Sequence, residues 1–203
     1  MLVLAHTGIT LGAALALNRL FPKNSRTPGN QATDKSPGPT PASRQSKTAS
    51  WLNSLADRID IRLLLIGAML PDIIDKPIGH FFFQNGRIFS HTLLFFLIVA
   101  SAGVWIYLKS RKTPGLTLAF GMLTHLILDK MWLTPQTLFW PLYGFAFGRI
   151  DLTDWASNIF YSLLNSPQTY APETIGGVIL GWLGLVLLRR RRLWAFLKQG
   201  KVA

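Results

Sequence analysis

Hydrophobic residues occur along this chain in long stretches separated by shorter polar segments. The first stretch, residues 2–21, is about 20 residues long and ends at Pro22. At about 1.5 Å per residue, a helix of that length crosses the roughly 30 Å hydrocarbon core of a bilayer. Four more apolar segments follow, at about residues 63–83, 88–108, 114–133 and 174–188. The pattern predicts an all-α, polytopic helical membrane protein with about five transmembrane helices.

The segments outside these helices differ in composition and suggest a division of the chain. Residues 1–21 are predicted to form the first transmembrane helix. Residues 22–60 are rich in Pro, Gly, Ser, Thr and Lys and cannot bury enough apolar surface to offset the entropy of ordering. We expect a disordered basic linker there, ending in an interfacial helix over 51–60. Residues 61–188 are predicted to form a membrane helical domain, and 189–203 a basic cytoplasmic tail that begins with four arginines.

The charge composition supports a membrane location. Hydrophobic residues make up 49% of the chain and charged residues only 15%, whereas an ordinary soluble domain has about a quarter charged residues. The net charge of +12 would suggest nucleic acid binding in a soluble chain. Here the basic residues lie beside the apolar segments, so we expect contacts with membrane lipid and none with nucleic acid.

The distribution of basic residues also predicts an orientation. With the N-terminus outside and the C-terminus cytoplasmic, nearly all of the 21 lysines and arginines lie on the inner side of a plasma (inner) membrane. The exceptions on the outer side are Lys76, Arg87, Lys130 and Arg149. The basic tail then faces the anionic lipids of the inner leaflet.

Ionisable residues inside the apolar segments are the main chemical signal. The chain has no cysteine, so any bound metal ion must be held by histidine, aspartate or glutamate. An ionisable group at the centre of a membrane helix costs about 2.5–3.5 kcal/mol on insertion, and such groups are expected to satisfy one another or to share an ion. The six that occur here are His6, Asp72, Asp75, His91, His125 and Asp129.

The predicted topology brings these six side chains to one depth. Since the segments alternate in direction, all six are expected in the outer half of the bilayer. His125 and Asp129 are four residues apart on one helix and can reach the same ion. His6, Asp72, His91, His125 and Asp129 are therefore the predicted metal ligands. Imidazoles and carboxylates without thiolates suit a divalent ion, either zinc or, in a more oxygen-rich site, manganese or iron.

Three further residues lie close to these positions in the sequence. Arg87 stands four residues before His91, where its guanidinium can hold a phosphate or carboxylate, or can extend to the membrane surface. Asp75 is three residues after Asp72 and reaches the same side of a helix. His80 follows Pro77 at the expected membrane surface and is interpreted as a packing residue rather than a ligand.

Four sequence segments resemble a known family. They are AHTGIT at 5–10, LPDIIDKPIG at 70–79, GRIFSHTLLF at 86–95 and LTHLILDKMWLTPQTLFWPLYG at 123–144. Together they resemble the predicted membrane-bound, metal-dependent hydrolases, a family proposed to be distantly related to zinc-dependent phospholipase C and its nuclease relatives. The resemblance covers most of the chain outside the linker and the tail.

The resemblance assigns positions one by one. The N-terminal histidine of the family falls on His6, its Pro-Asp acid on Asp72 with Asp75 as second acid, its Arg-x-x-Ser/Thr-His-Ser/Thr motif on Arg87, Ser90, His91 and Thr92, and its His-x-x-x-Asp pair on His125 and Asp129. Many members have a histidine directly before the arginine, where this chain has Gly86, and this difference removes a possible ligand of a second metal ion. The distance from Asp129 to Thr134-Pro135 is also two residues longer than in some relatives.

These residues predict a membrane-bound metal-dependent hydrolase that cleaves a phosphoester, of a lipid or a small molecule, by metal-activated water. In this interpretation Asp75 acts as general base or as a partner of a ligand, and Arg87 holds the anion of the substrate. The alternatives are a metal or proton carrier, a haem protein with His91 and His125 as axial ligands, and a non-catalytic membrane protein whose polar residues form a structural metal site or fix helix packing.

Overall fold

The computed structural model describes residues 3–20, 59–148 and 154–200. The predicted linker and interfacial helix lie outside these ranges except for Ile59 and Asp60, and so does the end of the predicted tail. All regular elements in the described ranges are helical, which confirms the all-α class.

The described residues contain eight α-helices, numbered here in chain order. They are α1 (Val3–Leu20), α2 (Ile61–Ile78), α3 (Leu93–Ser110), α4 (Pro114–Leu128), α5 (Pro135–Leu138), α6 (Trp155–Asn165), α7 (Pro167–Arg189) and α8 (Leu193–Gln199). A π-helical turn follows α2 at Gly79–Phe83, and 3₁₀ turns lie at Phe89–His91 and Met131–Leu133.

Only two helices in the described ranges are long and apolar enough to span a membrane by length and composition, namely α3 and α7. The predicted count of about five spans is therefore not confirmed. Helix α2 has the required length but contains charged residues, and α1 and α4 are apolar over shorter stretches, Val3–Asn18 and Pro114–Leu128. Helix α3 is exposed along nearly all of its length, as expected of a helix that faces lipid.

Two helix boundaries differ from those predicted. The third apolar segment becomes helical at Leu93 rather than near 88, because Thr92 caps the helix: its Oγ1 accepts a hydrogen bond from the Phe95 N–H at 3.1 Å. The preceding residues form the turn that contains His91. Helix α2 is continuous through Pro71 and ends at Ile78 rather than near 83, where a π-helical turn takes up the rest of the predicted segment.

Glycines allow two pairs of helices to approach closely. A Cβ built on Gly121 of α4 would lie 2.5 Å from the Leu64 carbonyl oxygen of α2, and one on Gly67 would meet the backbone of Leu118. Helices α1 and α7 approach in the same way through Gly8 and Gly176. Small residues at these crossings bring backbones together as in other membrane helix pairs. The two crossings hold α2 against α4 and α1 against α7, and a 2.7 Å hydrogen bond between the Thr10 and Thr124 hydroxyls links α1 to α4.

The C-terminal helix α8 returns to the start of α2. Phe196 packs into a core formed with residues of α1, α2 and α7. Arg62 donates from Nη1 to the Leu197 carbonyl at 2.9 Å and from Nε and Nη2 to the Asp60 carboxylate. The Arg62 hydrogen bond lowers the pKa of Asp60 below its ordinary value of 3.8. The predicted tail is thus partly helical and is attached to the membrane domain.

Candidate metal centre

All five predicted ligands converge at one end of the helices. His6 lies in the first turns of α1, whereas Asp72 lies near the end of α2 and His125 near the end of α4. Asp129 directly follows α4, and His91 lies in the 3₁₀ turn before α3. Each of the five side chains is almost completely removed from solvent.

The imidazoles of His91 and His125 face each other through their Nε2 atoms, which are 3.2 Å apart. Nδ1 of His125 lies 2.7 Å from the Ala68 carbonyl oxygen, and Nδ1 of His91 lies 2.7 Å from Asp75 Oδ2. A carbonyl and a carboxylate only accept hydrogen bonds, so each Nδ1 carries the proton. In the neutral rings, both Nε2 atoms then direct lone pairs toward each other.

Carboxylate oxygens surround the same two nitrogens. Asp72 Oδ1 is 3.6 Å from His91 Nε2 and 3.9 Å from His125 Nε2, and Asp129 Oδ2 is 3.9 Å from His91 Nε2. Lone pairs and negative oxygens facing one another away from water repel unless a cation or a proton lies between them. The arrangement is that of donors around a common centre.

His6 completes the group from the side of α1. Its ring stacks on the ring of His125 with centroids 4.1 Å apart, and its Nε2 lies 3.1 Å from Asp129 Oδ1. That contact lacks hydrogen-bond geometry, and within the described residues neither ring nitrogen of His6 has a hydrogen-bond partner. A buried imidazole in this state is unusual for a packing residue. It is the state expected of a side chain that binds something other than protein.

The donor atoms form two overlapping sets, and in each set all atoms lie within 4.8 Å of one another. One set contains His6, Asp72 and His125, and the other contains His91, His125 and Asp129. His125 is common to both, and its Nε2 has a single lone pair for one ion. The two sets therefore describe a single centre. Three imidazole nitrogens and two carboxylates without sulfur suit zinc, manganese or iron, so the residues fit a divalent metal ion.

Asp75 is fully buried but points away from the centre, and its oxygens already have several donors. It accepts hydrogen bonds from the backbone N–H groups of Ile88, Ser90 and His91, in addition to Nδ1 of His91. Such a carboxylate is placed to orient a ligand rather than to take a proton from water. Of the two roles predicted for Asp75, the geometry favours the partner of a ligand.

Two basic side chains lie at the outer edge of the centre. Arg87 Nε donates to Asp129 Oδ2 at 2.9 Å, and Lys76 Nζ donates to Asp72 Oδ2 at 2.7 Å. Their side chains are 40% and 42% exposed, in contrast to the buried carboxylates they contact. Arg87 thus lies where an anion holder was predicted, whereas the sequence predicted Lys76 only as a basic residue on the outer side.

Three more polar residues belong to this region: His80, which lies apart from the centre, and Asn85 and Glu173, which support it and were not predicted from the sequence. His80 is exposed and contacts the Phe81 ring, apart from the cluster. Asn85 accepts from the Arg87 N–H and donates to the Gly148 carbonyl, which fixes the loop that holds Arg87. Glu173 of α7 is buried and accepts from the Leu4 N–H, two residues before His6. An acid directly before the apolar segment predicted at 174–188 was a usable signal for Glu173, whereas nothing in the local sequence indicates the contact of Asn85.

The helical fold and the buried histidine–aspartate cluster define the class of this chain as a helical membrane protein with a candidate metal centre. A family model described as YdjM inner membrane protein matches residues 1–201. The chain belongs to this family, which assigns it to the inner membrane. No curated protein and no solved structure matches the chain significantly.

Proposed function

We propose that this protein is a membrane-bound metal-dependent hydrolase that acts on a phosphoester. His6, Asp72, His91, His125 and Asp129 would hold one divalent ion, with zinc as the first candidate and manganese or iron as alternatives. The observation that carries the proposal is the pair of Nε2 atoms of His91 and His125, 3.2 Å apart and surrounded by carboxylate oxygens.

A metal ion explains this cluster better than a shared proton does. One proton can satisfy the His91–His125 pair, but it leaves the ring nitrogens of His6 without a hydrogen bond and Asp72 facing the same nitrogens. An ion shared by the two overlapping donor sets would take up the facing lone pairs of His91 and His125 and would give His6 a partner. The short separation of the two Nε2 atoms also leaves no room for a haem macrocycle between them, which argues against the haem alternative.

The protein residues would supply orientation and charge. When bound, a divalent ion supplies Lewis-acid chemistry, polarising a phosphoryl oxygen and activating water. The Asp75 carboxylate and the Ala68 carbonyl hold the His91 and His125 rings in the tautomer that leaves Nε2 available. Arg87 would bind the substrate anion, because its guanidinium lies at the solvent edge of the cluster and matches the oxygens of a phosphoryl group.

The rival functions differ in what they need from the rest of the fold. A metal or proton carrier needs polar groups along a path across the membrane, whereas the described cluster lies at one end of α1, α2 and α4. A structural metal site needs no access to solvent, whereas Arg87 and Lys76 connect this cluster to solvent. Both features favour a catalytic site that opens at one face. The five-span topology with the N-terminus outside would put that face on the outer side, and it remains part of the proposal.

Elemental analysis of purified protein tests the metal centre. Wild type extracted in mild detergent is expected to retain roughly one divalent ion per chain, as a single-ion site requires. His125→Ala and Asp129→Ala should lose it, while His80→Ala, which removes a histidine outside the cluster, should retain it. Equal metal content in wild type and His125→Ala, or none in wild type, would overturn the assignment.

Hydrolysis is tested separately with chromogenic phosphomonoesters and phosphodiesters. The proposal expects turnover by the metal-loaded wild type that disappears with a chelator, in His125→Ala and in Asp129→Ala. Metal-loaded protein that cleaves neither substrate class, but carries ions into proteoliposomes, would instead support the carrier.

A further inference from the structure

Lys76 lies at the edge of the candidate centre, where it contacts Asp72, whereas Arg87 contacts Asp129. Lys76 binds the Oδ2 atom of Asp72, whose Oδ1 atom faces His91 and His125. Arg87 binds Asp129 Oδ2 in a comparable way. Each base therefore contacts one carboxylate that borders the common centre.

The two basic side chains come from neighbouring segments of the fold. A Cβ built on Gly86 would lie 3.9 Å from Cγ of Lys76, and Gly86 directly precedes Arg87. The Lys76 stem thus passes beside the segment that carries Arg87.

The charge balance of the cluster depends on the ion. Asp72, Asp75 and Asp129 carry three negative charges, and Lys76 and Arg87 carry two positive ones, so the neutral-histidine cluster is net negative. A divalent ion makes the net charge of the cluster positive and draws the electron density of the carboxylates away from Lys76 and Arg87. The loaded centre then attracts an anion at its exposed edge, where Lys76 and Arg87 are found.

We infer that Lys76 and Arg87 together form a cationic rim that binds a phosphoryl group of the substrate. This inference rests on the proposed function and adds Lys76 as a determinant of substrate binding. A planar guanidinium and a point-charge ammonium on separate elements can each take a different oxygen, while a third oxygen faces the ion. A phosphoryl group can give a separate oxygen to each of the three, whereas a carboxylate has two oxygens and would have to share one of them between two partners. The phosphoryl group belongs either to a membrane lipid or to a small soluble molecule.

Binding of inorganic phosphate to zinc-loaded protein in detergent tests the rim. Lys76→Gln and Arg87→Gln should each weaken phosphate binding about tenfold, the loss expected for a charge-assisted hydrogen bond, while zinc content stays at the wild-type level. Lys76→Arg should retain most of the affinity. Lys109→Gln, which removes an exposed lysine of α3, serves as the matched control and should bind phosphate like wild type.

Several results would overturn the inference. Wild-type affinity in Lys76→Gln would exclude Lys76 from the rim, and loss of zinc in that variant would show that Lys76 only braces Asp72. Zinc-loaded wild type that binds no phosphate would overturn the rim and leave the metal centre intact. If wild type holds no zinc, the proposed function fails by itself, and an absence of phosphate binding by the metal-free protein would then reject the rim as well.

A second arm distinguishes the two sources of the phosphoryl group. The phosphate titration is repeated in nanodiscs of phosphatidylcholine with and without phosphatidic acid. Displacement of inorganic phosphate by phosphatidic acid in wild type, reduced in Lys76→Gln, assigns the rim to a lipid phosphate. Unchanged phosphate affinity in both membranes assigns it to a soluble phosphate.

Discussion

Asp75 and His91 are joined by a 2.7 Å contact between Oδ2 and Nδ1. The same carboxylate accepts three backbone N–H groups of the turn that carries His91. The turn between α2 and α3 is thus folded around Asp75, and the orientation of the His91 ring is fixed by that fold. This relationship assigns to Asp75 the positioning of a ligand.

Replacing Asp75 with Asn should weaken zinc binding without abolishing it. Asn presents an NH₂ group and loses the charge that holds Nδ1 of His91, and loss of such a partner of a ligand typically costs 10–100-fold in metal affinity. Competition with a chromogenic chelator measures the dissociation constant. An unchanged constant in a folded Asp75→Asn variant would show that the backbone alone orients His91.

Replacing Gly121 with Ala should damage both the fold and the centre. The new methyl group would lie 2.5 Å from the Leu64 carbonyl oxygen and 2.7 Å from the Ala68 nitrogen. Helices α2 and α4 must then separate, at a cost of about 1–3 kcal/mol for overpacking, and the bond from His125 to Ala68 lengthens. The temperature of thermal unfolding and the affinity for zinc should both fall.

Gly181 provides the matched control for this substitution. It lies in α7, and a Cβ there would meet nothing within 4 Å in the described structure. Gly181→Ala should therefore leave zinc affinity unchanged and gain up to about 1 kcal/mol of helix propensity. Equal unfolding temperatures for Gly121→Ala and Gly181→Ala would contradict the close crossing of α2 and α4.

The attachment of α8 should weaken at acidic pH. The hydrogen bond from Arg62 lowers the pKa of Asp60 below its ordinary value of 3.8. The ionised carboxylate therefore stabilises the contact at pH values above 3.8, and this stabilisation is lost as the pH falls from 3.8 through the lowered pKa. Protonation releases Arg62, which also binds the Leu197 carbonyl. Hydrogen exchange of residues 193–199, corrected for intrinsic rates, should become a few-fold faster between pH 6 and pH 3.

Asp60→Asn tests the same contact without a change of pH. This variant should show at neutral pH the faster exchange that wild type shows only in acid. Asp154→Asn, which removes an exposed acid at the start of α6, should not. Identical exchange in wild type and Asp60→Asn would mean that the packing of Phe196 alone holds α8.

The meeting of the polar side chains could be anticipated from sequence because ionisable groups in apolar segments must find partners. His6, His91 and His125 lie on different elements, and antiparallel helices bring their ends to one level. The all-α class follows from the same apolar segments. The number of spans does not follow, because apolar length alone cannot distinguish a spanning helix from one shortened by a turn or interrupted by charges.

The finer chemistry depends on contacts that no local pattern encodes. The tautomer of His125 is set by the Ala68 carbonyl, which becomes available only because Gly67 and Gly121 allow α2 and α4 to touch. The place of Lys76 at the edge of the centre likewise follows from its contact with Asp72, whose other oxygen faces two histidines from other elements. The Thr92 cap is an exception, since a threonine before an apolar helix is a recognised start signal, and it marks the start of α3 better than apolar length does.

The crossing of α1 with α7 has a consequence for biogenesis. The backbone of α1 rests against Gly176, and Glu173 accepts from the Leu4 N–H, 169 residues away in the chain, so α1 gains these contacts only after α7 has been synthesised. Until α7 is inserted, His6 lacks the support that directs it toward Asp129. If His6 holds the proposed ion, chains stalled upstream of Pro167 should bind that ion more weakly than chains that include α7.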